Sequence, residues 1–383
     1  MKDNRSVNLN TRDIKDSAIE SRVIKTVLRS GSSLESKFAV LELSTKAVKL
    51  LIGEDIDAIR KNIASLGANT PGTKFDFGNF FRTTDKVDAG KGLDAQNMMD
   101  MDYFSGRVLR SILHKKMLML EKGVDTVYTI ATAAYRTAAN REEILDLIRE
   151  RAGINVRILS KREEAEATLF AYTFTSAHRM RLLRSPCVIM IDQGGGSTEV
   201  SVFREGNLAG NPYSMNLGTI ALHNFLFKDS EPDTPIEKAF KNSDRKIRER
   251  LVAFSKNMGE SMAVGGEVFC VGVGTAITKA AGRTGNAKQH DKILTRDFIS
   301  ARIEQAERTI LERVNTVGEL DAVLGGLGPN DPFDAELTTR LGLPMFVTMM
   351  ERYGIPEIHV SGTGLWYGIY IQRLLNALDE DGY

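Results

Sequence analysis

The chain has 383 residues, of which 42% are hydrophobic and 26% are charged. These fractions are typical of a globular protein, and they exclude a largely disordered chain, a collagen-like chain and a small disulfide scaffold. The 51 basic and 50 acidic residues nearly cancel, so the net charge creates no general attraction to nucleic acid or to an anionic membrane. The length predicts two or three domains.

Features of export and of membrane insertion are missing from the sequence pattern. The first residues are polar, and no run reaches the roughly 18 apolar residues that a membrane span needs. Cys187 and Cys270 each lie in an apolar stretch, which favours buried thiols over a zinc site. We therefore expect a cytoplasmic protein that binds neither membrane nor nucleic acid.

Residues 1–36 are predicted to form an N-terminal extension that is partly helical and docks on the body of the protein or on a partner. Apolar residues recur at helical spacing over 13–30, and Ser30-Gly31-Ser32-Ser33 ends the pattern. The apolar positions of this helix are Ile14, Ala18, Ile19, Val23, Val27 and Leu28.

Strand and helix patterns then alternate through the first half. Short apolar runs predict strands over 38–43, 47–52 and 126–131, with an irregular region over 68–96. A long amphipathic helix is predicted between that region and the third strand. Its apolar positions at helical spacing are Phe104, Val108, Ile112, Leu113, Met117 and Leu120.

Capping residues mark the next two helices. Asn140 with Glu143 is a candidate N-terminal cap, and Gly153 closes that helix. After a strand over 155–159, Ser160 and Glu163 match the S-x-x-E capping box of a helix that continues toward 177. Strands that alternate with helices indicate an α/β fold.

The second half repeats a local pattern of the first: strand, acidic residue, tight polar turn, strand. The pattern occurs from Leu41 and again from Ile191, so Glu42 and Asp192 hold equivalent places. This repeat predicts a duplicated architecture. The later elements are helices over 236–256, 296–314, 334–353 and 364–378, and strands over 187–191, 198–203, 267–273 and 357–361.

The strongest chemical signal is the segment from Asp192 to Glu199. Its three glycines allow a backbone to approach an anion closely and to point several N–H groups at it. Ser197 and Thr198 add hydroxyl donors, while the two acids can hold a Mg²⁺ ion that binds phosphate. A mobile glycine-rich hairpin is the alternative interpretation.

Three further features gain weight only beside that segment. A second glycine turn covers 271–276, where a plain strand-to-helix turn fits equally well. Glu164 can activate a water molecule, although a solvated glutamate is the simpler reading. Arg136 can clamp phosphate oxygens, although a surface arginine is the simpler reading. No GxGxxG, HExxH or GxSxG pattern occurs.

Taken in order, these segments resemble the exopolyphosphatase / guanosine pentaphosphate phosphohydrolase (Ppx/GppA) family of the actin–hexokinase–Hsp70 superfamily. The resemblance runs from about Phe38 to the C-terminal helix. Its most specific parts are ATAAYRTAAN at 131–140, SKREEAEA at 160–167 and IDQGGGSTEV at 191–200. It implies an α/β fold of two actin-like (ribonuclease H-like) domains with a central cleft. We place the domains at 37–162 and 163–383, with the C-terminal helix packing back on the first.

The resemblance also implies the roles of individual residues. Glu164 would be the catalytic base. The phosphate-binding residues would be Thr45, Lys46, Arg136, Gly194, Gly195, Gly196, Ser197, Thr198, Gly272, Gly274 and Thr275. The Mg²⁺ ligands would be Asp192, Glu199 and Glu42. The substrate would be inorganic polyphosphate or guanosine pentaphosphate, from which terminal phosphate is released. The sequence leaves open whether the protein forms a homodimer.

The first phosphate loop departs from the family pattern of Asp, aliphatic residue, Gly-Ser-Asn. Here the loop reads Glu42-Leu43-Ser44-Thr45-Lys46. Ser44 replaces a glycine, and Lys46 brings a positive charge where an amide is expected. Two alternatives therefore stand beside the hydrolase: a sensor that binds polyphosphate or an alarmone with little or no turnover, and a phosphotransferase of the same superfamily.

Overall fold

The computed structural model describes residues 37–67, 73–94, 96–258, 267–282, 286–327 and 331–380. The predicted N-terminal extension and its helix lie outside these residues. The described residues build two β-sheets, each flanked by helices.

The first sheet has five strands in the order β3-β2-β1-β4-β5. Its strands are β1 (Phe38–Leu43), β2 (Ala47–Gly53), β3 (Phe80–Lys86), β4 (Thr126–Ala131) and β5 (Val156–Ile158). Strand β2 runs antiparallel to both β1 and β3, β4 is parallel to β1, and β5 is parallel to β4. Strand β1 is buried along its whole length, which explains its uninterrupted apolar run.

The second sheet has seven strands, with β11-β12-β10-β6-β7-β8 in order and β9 paired to β7. Its strands are β6 (Cys187–Gln193), β7 (Thr198–Arg204), β8 (Asn207–Leu208), β9 (Tyr213–Met215), β10 (Val268–Gly274), β11 (Ile293–Thr295) and β12 (Glu357–Val360). As in the first sheet, an antiparallel hairpin lies beside parallel strands. The predicted duplication and the predicted actin-like fold are confirmed.

Fifteen α-helices are described, together with two short 3-10 helices, Phe77–Asn79 and Ala89–Gly92, and a π-helical segment, Phe104–Leu109, between α2 and α3. The α-helices are α1 (Ile56–Gly67), α2 (Met101–Tyr103), α3 (Arg110–Glu121), α4 (Ala133–Thr137), α5 (Arg141–Ala152), α6 (Lys161–Thr175), α7 (Arg179–Arg184), α8 (Thr219–Lys228), α9 (Ile236–Met258), α10 (Thr275–Ala281), α11 (Asn286–Gln289), α12 (Arg296–Leu311), α13 (Val317–Gly325), α14 (Pro332–Tyr353) and α15 (Leu365–Glu380).

Helix α6 connects the two halves because its two faces belong to different cores. Ala167, Phe170 and Phe174 pack with β1 and α15 over the first sheet. Leu169 and Tyr172 pack with strands of the second sheet. The C-terminal helix α15 therefore covers the first sheet beside α6. The domain bounds at 162 and 163 stay a prediction.

Three sequence expectations were wrong. The region over 68–96 contains strand β3, where exposed and partly buried residues alternate after the buried Phe80. Asn140 makes no capping bond, because its side chain instead binds the backbone of Met99 in both directions, at 2.9 and 3.0 Å. In the long helix, Met117 and Leu120 are 56% and 61% exposed rather than buried.

The last difference has a local cause. A π-helical segment holds more residues per turn than an α-helix, so it rotates the apolar face of the residues that follow. Phe104, Val108 and Ile112 stay in the core, whereas the positions further along the helix turn outward.

Both cysteines are buried free thiols, as expected. No helix of the described part combines the length and apolarity that crossing a bilayer requires.

Candidate active site

The turn after β1 and the turn after β6 face each other across the cleft between the two sheets. A Cβ atom placed on Gly195 would lie 3.2 Å from Cδ of Lys46. The stem of Lys46 therefore lies against the triple-glycine turn. The backbone of Lys46 is fixed from its own side, since its carbonyl oxygen accepts hydrogen bonds from the amides of Val87 and Asp88 at 3.0 and 2.9 Å.

The triple-glycine turn is built onto the N-terminal end of α8. The carbonyl oxygen of Gly194 accepts a bond from the amide of Thr219 at 3.0 Å, and that of Gly195 accepts one from Ile220 at 2.7 Å. A Cβ atom on Gly218 would lie 2.4 Å from the carbonyl oxygen of Gly195, so only glycine permits this close approach. The turn is thus held by its carbonyl groups.

The amides of the same turn point elsewhere. Gly194 N–H is bonded to the carbonyl of Ser197 at 2.9 Å. Within the described part of the chain, the amides of Gly195, Gly196 and Ser197 have no hydrogen-bond acceptor. Free amides in a tight turn form an anion-binding concavity. Phosphate binding by these residues is a prediction that this geometry permits.

The two hydroxyls beside the glycines are already engaged. Ser197 Oγ donates to Oε1 of Glu199 at 2.6 Å. Thr198 Oγ1 donates to the carbonyl of Leu217 at 3.0 Å, and the residue is completely buried. In the structure as it stands, Thr198 therefore fixes the loop and does not present its hydroxyl to the cleft. Its predicted contact with phosphate stays untested.

Four carboxylates from both halves of the molecule meet in the cleft. Glu42 pairs with Lys49 across the β1–β2 hairpin, and Asp192 pairs with Glu199 across β6–β7 in the equivalent register. Burial, and then the charges of Glu199, Glu164 and Glu42, raise the pKa of Asp192 to about 7, while Lys49 opposes this rise. The acids are therefore close enough to repel one another.

Lys49 is the counter-charge that sequence reasoning missed. Its Nζ lies 2.7 Å from Oε1 of Glu42, and its ammonium group opposes the rise in the Asp192 pKa. The signal for it was the alternation of a lysine into an otherwise apolar strand. Gln193 was also missed: it is buried and donates to the carbonyls of Leu217 and Gly342, which ties the turn to α14.

Glu164 lies in the first turn of α6, where the predicted capping box is complete: Ser160 accepts from the amide of Glu163, whose carboxylate binds the Ser160 amide. Burial raises the pKa of Glu164, and a hydrogen bond from Arg136 lowers it in part. Arg136 Nη1 also donates to the carbonyl of Leu159 at 2.6 Å. Glu164 is thus a partly desolvated carboxylate whose orientation is fixed by Arg136.

Arg136 keeps donors for a ligand despite this ion pair. Its Nη1 atom serves both Glu164 and Leu159. Its Nε and Nη2 groups have no acceptor among the residues that the structure describes, and the side chain is 23% exposed. A guanidinium with two free N–H groups suits a phosphate oxygen pair. Arg136 forms an ion pair with Glu164, which sequence reasoning did not foresee.

Two more lysines extend positive charge along the cleft from Lys46. Burial, and then repulsion by Lys86, lower the pKa of Lys46, and Lys279 contributes to the same lowering. Lys279, on α10, lies 3.9 Å from Oδ2 of Asp334. For Lys46 and Lys86, no carboxylate of the described residues lies within ion-pair distance. Such a cluster favours an anionic ligand.

The second glycine turn has a packing role that the sequence did not reveal. A Cβ on Gly272 would lie 2.7 Å from Cγ2 of Ile358, and one on Gly274 would lie 2.1 Å from the carbonyl oxygen of Gln193. Gly274 also has φ of 111°, which favours glycine. Thr275, the first residue of α10, is exposed. Contact of these three residues with phosphate stays a prediction.

The donor set of the cleft fits a Mg²⁺ ion. Oε2 of Glu42 is buried without a hydrogen-bond partner, and Asp192 is held near other acids, so a cation would relieve both. No group of three or more metal-binding side chains converges on one point within the described residues. Mg²⁺ commonly binds through one or two carboxylates, with water and substrate phosphates filling its shell.

Topology and cleft together define a two-domain α/β protein of the actin-like class with an acidic, partly desolvated site between duplicated turns. A model of the "Ppx/GppA phosphatase family" matches residues 70–316, more than half of the chain. The chain belongs to the Ppx/GppA phosphatase family.

Solved structures of that family share the fold. The Aquifex aeolicus family member superposes with a TM-score of 0.63 at 19% identity, covering 91% of this chain and 99% of its own. An exopolyphosphatase from Cytophaga hutchinsonii superposes with a TM-score of 0.62 at 17% identity, covering 88% and 98%. At these identities the likeness establishes the fold alone.

The matches to curated relatives cover only part of each relative's length. An uncharacterized Streptomyces coelicolor protein, SCO0757, is 35% identical over 130 residues, which are 34% of this chain and 36% of that protein. The guanosine-5'-triphosphate,3'-diphosphate pyrophosphatase of Vibrio campbellii is 23% identical over 345 residues, 90% of this chain and 60% of that enzyme. The chain therefore spans about one third and three fifths of the lengths of these relatives.

Proposed function

We propose that the protein hydrolyses the terminal phosphoanhydride bond of inorganic polyphosphate or of guanosine pentaphosphate and releases phosphate. The observation that carries the proposal is the proximity of Glu164 to the acids beside the two turns, Glu42 and Glu199. The electrostatic influence of Glu199 on Glu164 expresses that closeness. Membership of a phosphatase family supports the reaction class. The names of the Vibrio and Cytophaga proteins supply the two substrate classes.

In this reaction the oxygen of a water molecule bonds to the terminal phosphorus as the bridging P–O bond breaks. The products are phosphate and a chain that is one phosphate shorter, whose terminal oxygen keeps the electron pair. We assign Glu164 as the acceptor of the water proton, because its raised pKa makes it a stronger base than an ordinary glutamate. Arg136 orients that carboxylate by donating a hydrogen bond to its Oε1 atom.

Charge on the transferred group must be met by donors that are already in place. The free amides of Gly195, Gly196 and Ser197 and the ammonium group of Lys46 would bind the phosphoryl oxygens. Glu42, Asp192 and Glu199 would hold a Mg²⁺ ion, which supplies positive charge to the phosphate oxygens when bound. A cytoplasmic location and a homodimer remain predictions.

A specific observation favours the sensor as a second candidate. Lys46 lies directly against Gly195, and Arg136 is already bound to Glu164. A lysine that neutralises the bound phosphates strengthens binding in the ground state, and binding of that kind does not accelerate the chemical step. Such a protein would retain polyphosphate or the alarmone and release phosphate slowly.

The decisive variant is Glu164→Gln. We expect phosphate release to fall at least about 100-fold, the size of a general-base effect, with substrate affinity retained. Glu166→Gln is the matched control, because Glu166 lies on the same helix but pairs with Arg162 at the surface. Equal activity of wild type and Glu164→Gln would reject Glu164 as the base.

A substrate panel separates the hydrolase from the sensor. Phosphate release is measured from polyphosphate and from guanosine pentaphosphate with Mg²⁺, and binding of each is measured by calorimetry. Release that depends on Glu164 supports the hydrolase. Binding without release supports the sensor, and consumption of polyphosphate only in the presence of ADP supports a phosphotransferase. The absence of both binding and phosphate release with either substrate would overturn the proposal.

A further inference from the structure

The turn that carries Lys46 is held by the residues that follow strand β3. The carbonyl oxygen of Lys46 accepts the amides of Val87 and Asp88 at 3.0 and 2.9 Å, and that of Thr45 accepts the amide of Gly90 at 3.0 Å. These three backbone hydrogen bonds fix two successive carbonyl groups of the turn. The orientation of the Lys46 side chain, whose stem lies against the triple-glycine turn, therefore depends on them.

Residues 87–90, which we call the clamp segment, include a backbone conformation that needs support from outside. Asp88 has φ of 49° and ψ of 48°, in the left-handed region that residues other than glycine seldom adopt. Aspartate tolerates this region better than most residues do. Even so, such a conformation persists only where the surrounding structure holds it in place.

Tyr103 supplies that support with its hydroxyl group. The Oη atom lies 3.0 Å from the carbonyl oxygen of Val87 and 3.0 Å from that of Asp88, so one O–H donor is shared between the two. The peptide group between Val87 and Asp88 is thus held at both ends, because its N–H donates to Lys46 and its C=O accepts from Tyr103. Hydrogen bonds linked in this way polarise and strengthen one another.

The tyrosine ring is itself fixed by its surroundings. A Cβ atom on Gly92 would lie 2.8 Å from Cδ1 of Tyr103, so the ring packs directly on the Gly92 backbone. The guanidinium group of Arg107 lies over the ring, 5.8 Å from its centroid. Asp100 accepts the Tyr103 amide at 3.0 Å, and the π-helical segment begins at the next residue. Segments of this kind occur frequently at functional sites.

We propose that Tyr103 is a positioning residue of the phosphate site, which acts through the clamp segment on Lys46. This role rests on the proposed function, because a polyphosphate substrate is the ligand of Lys46. Tyr103 touches no substrate. Its hydroxyl group orients the clamp segment, the clamp segment fixes the Lys46 carbonyl, and the ammonium group is thereby kept beside the triple-glycine turn.

The clamp segment also influences the charge of Lys46. Burial, and then repulsion by Lys86, lower the pKa of Lys46, and the carboxylate of Asp88 is the strongest influence that opposes them. Asp88 is the residue whose backbone Tyr103 supports. A displaced clamp segment would therefore move both the lysine and the acid that favours its charged form.

Tyr103→Phe removes the hydroxyl group and keeps the ring. Binding of tripolyphosphate is measured by calorimetry in the Glu164→Gln background, where cleavage of the ligand does not disturb the titration. We expect Kd to rise at least about fivefold, approaching the roughly tenfold loss expected for Lys46→Met. In the protein with Glu164 intact, KM for polyphosphate should rise, while kcat changes less than about twofold.

Ser185→Ala is the matched control for a general loss of stability. The Ser185 hydroxyl also bridges two backbone carbonyls, those of Cys187 at 2.7 Å and Glu267 at 3.2 Å. Cys187 begins strand β6, whereas the triple-glycine turn follows its last residue, so the control lies at the opposite end of that strand. Ser185→Ala should lower the urea midpoint as Tyr103→Phe does and leave Kd unchanged.

A double-mutant cycle with Lys46→Met tests whether Tyr103 acts through the lysine. If it does, adding Tyr103→Phe to Lys46→Met should change Kd less than about twofold, because the ammonium group is already absent. Equal fold-changes in the two backgrounds would overturn the role of Tyr103, as would an unchanged Kd for Tyr103→Phe alone. Absence of tripolyphosphate binding in the Glu164→Gln protein itself would overturn the proposed function together with this role.

Discussion

At the scale of single residues, ion pairs join charges from separate segments, both in the cleft and outside it. Lys49 forms an ion pair with Glu42, Arg136 with Glu164, and Lys115 with Asp85. In each pair the basic side chain restrains the carboxylate of its partner. Sequence patterns indicate the acids, because they follow strands or open a helix, but they do not show which base each acid meets. Those partners are supplied by the tertiary fold.

Lys46→Met tests the charge that departs from the family pattern. Methionine keeps an apolar stem against Gly195 and removes only the ammonium group. We expect KM for polyphosphate to rise about tenfold, which corresponds to about 1.4 kcal/mol of lost binding, with a smaller effect of salt on KM. Lys241→Met, an exposed site on α9, is the control. An unchanged KM would show that Lys46 does not face the substrate.

Lys115→Met tests a buried ion pair outside the cleft. Lys115 is fully buried, and its Nζ lies 2.6 Å from Oδ1 of Asp85. Removing the ammonium group should lower the free energy of unfolding by about 1–3 kcal/mol at pH 6, since Asp85 is only partly buried. Arg149→Met, in an exposed pair with Asp146, should cost less than about 1 kcal/mol.

The same pair predicts a dependence on pH. Burial pushes the pKa of Asp85 up, but hydrogen bonds from Lys115 and Ser111 outweigh burial and hold it below the ordinary value. The stabilisation is therefore complete above the unfolded pKa of about 3.9, and it is lost as pH falls through the lower folded pKa. The gap between wild type and Lys115→Met in urea unfolding should narrow from pH 6 to pH 3. A constant gap would contradict the coupling.

At the scale of elements, the sequence is informative wherever local chemistry decides the structure. Strand β4 was predicted at its observed bounds, and the capping box at Ser160 is complete. Strand β3 was missed because its exposed positions carry Arg82, Thr84 and Lys86, which leave little apolar signal. The exposure of Leu113, Met117 and Leu120 on α3 was missed because a π-helical segment is not visible in residue spacing.

Ser160→Ala tests whether the cap of α6 also positions Glu164. Loss of the cap should lower the free energy of unfolding by about 1 kcal/mol. It should also lower kcat, because the first turn of α6 carries Glu164. Thr316 caps α13 in the same way, away from the cleft, so Thr316→Ala is expected to cost similar stability with kcat unchanged. Equal kcat values in the two variants would separate the cap from catalysis.

At the scale of the whole molecule, helices α6 and α15 form the connection on which the cleft depends. Helix α6 carries Glu164 in its first turn and crosses from one core to the other, and α15 packs along it. Their closest approach is at Gly368, where an added Cβ would lie 2.0 Å from the carbonyl oxygen of Ala167. The position of the first turn of α6 therefore depends on a helix contact within the core that covers the first sheet.

Gly368→Ala should disturb that contact and, through α6, the site. Backbone atoms cannot yield as side chains do, so α15 must move away, at a cost of about 1–3 kcal/mol or more in the free energy of unfolding. Glu164 then shifts with α6, and kcat should fall more than KM rises. Gly364→Ala is the matched control, because the nearest atom to its added Cβ lies at 3.9 Å. Urea unfolding and steady-state kinetics measure both effects. If Gly368→Ala lost stability but kept full kcat, the position of Glu164 would be independent of the α6–α15 contact.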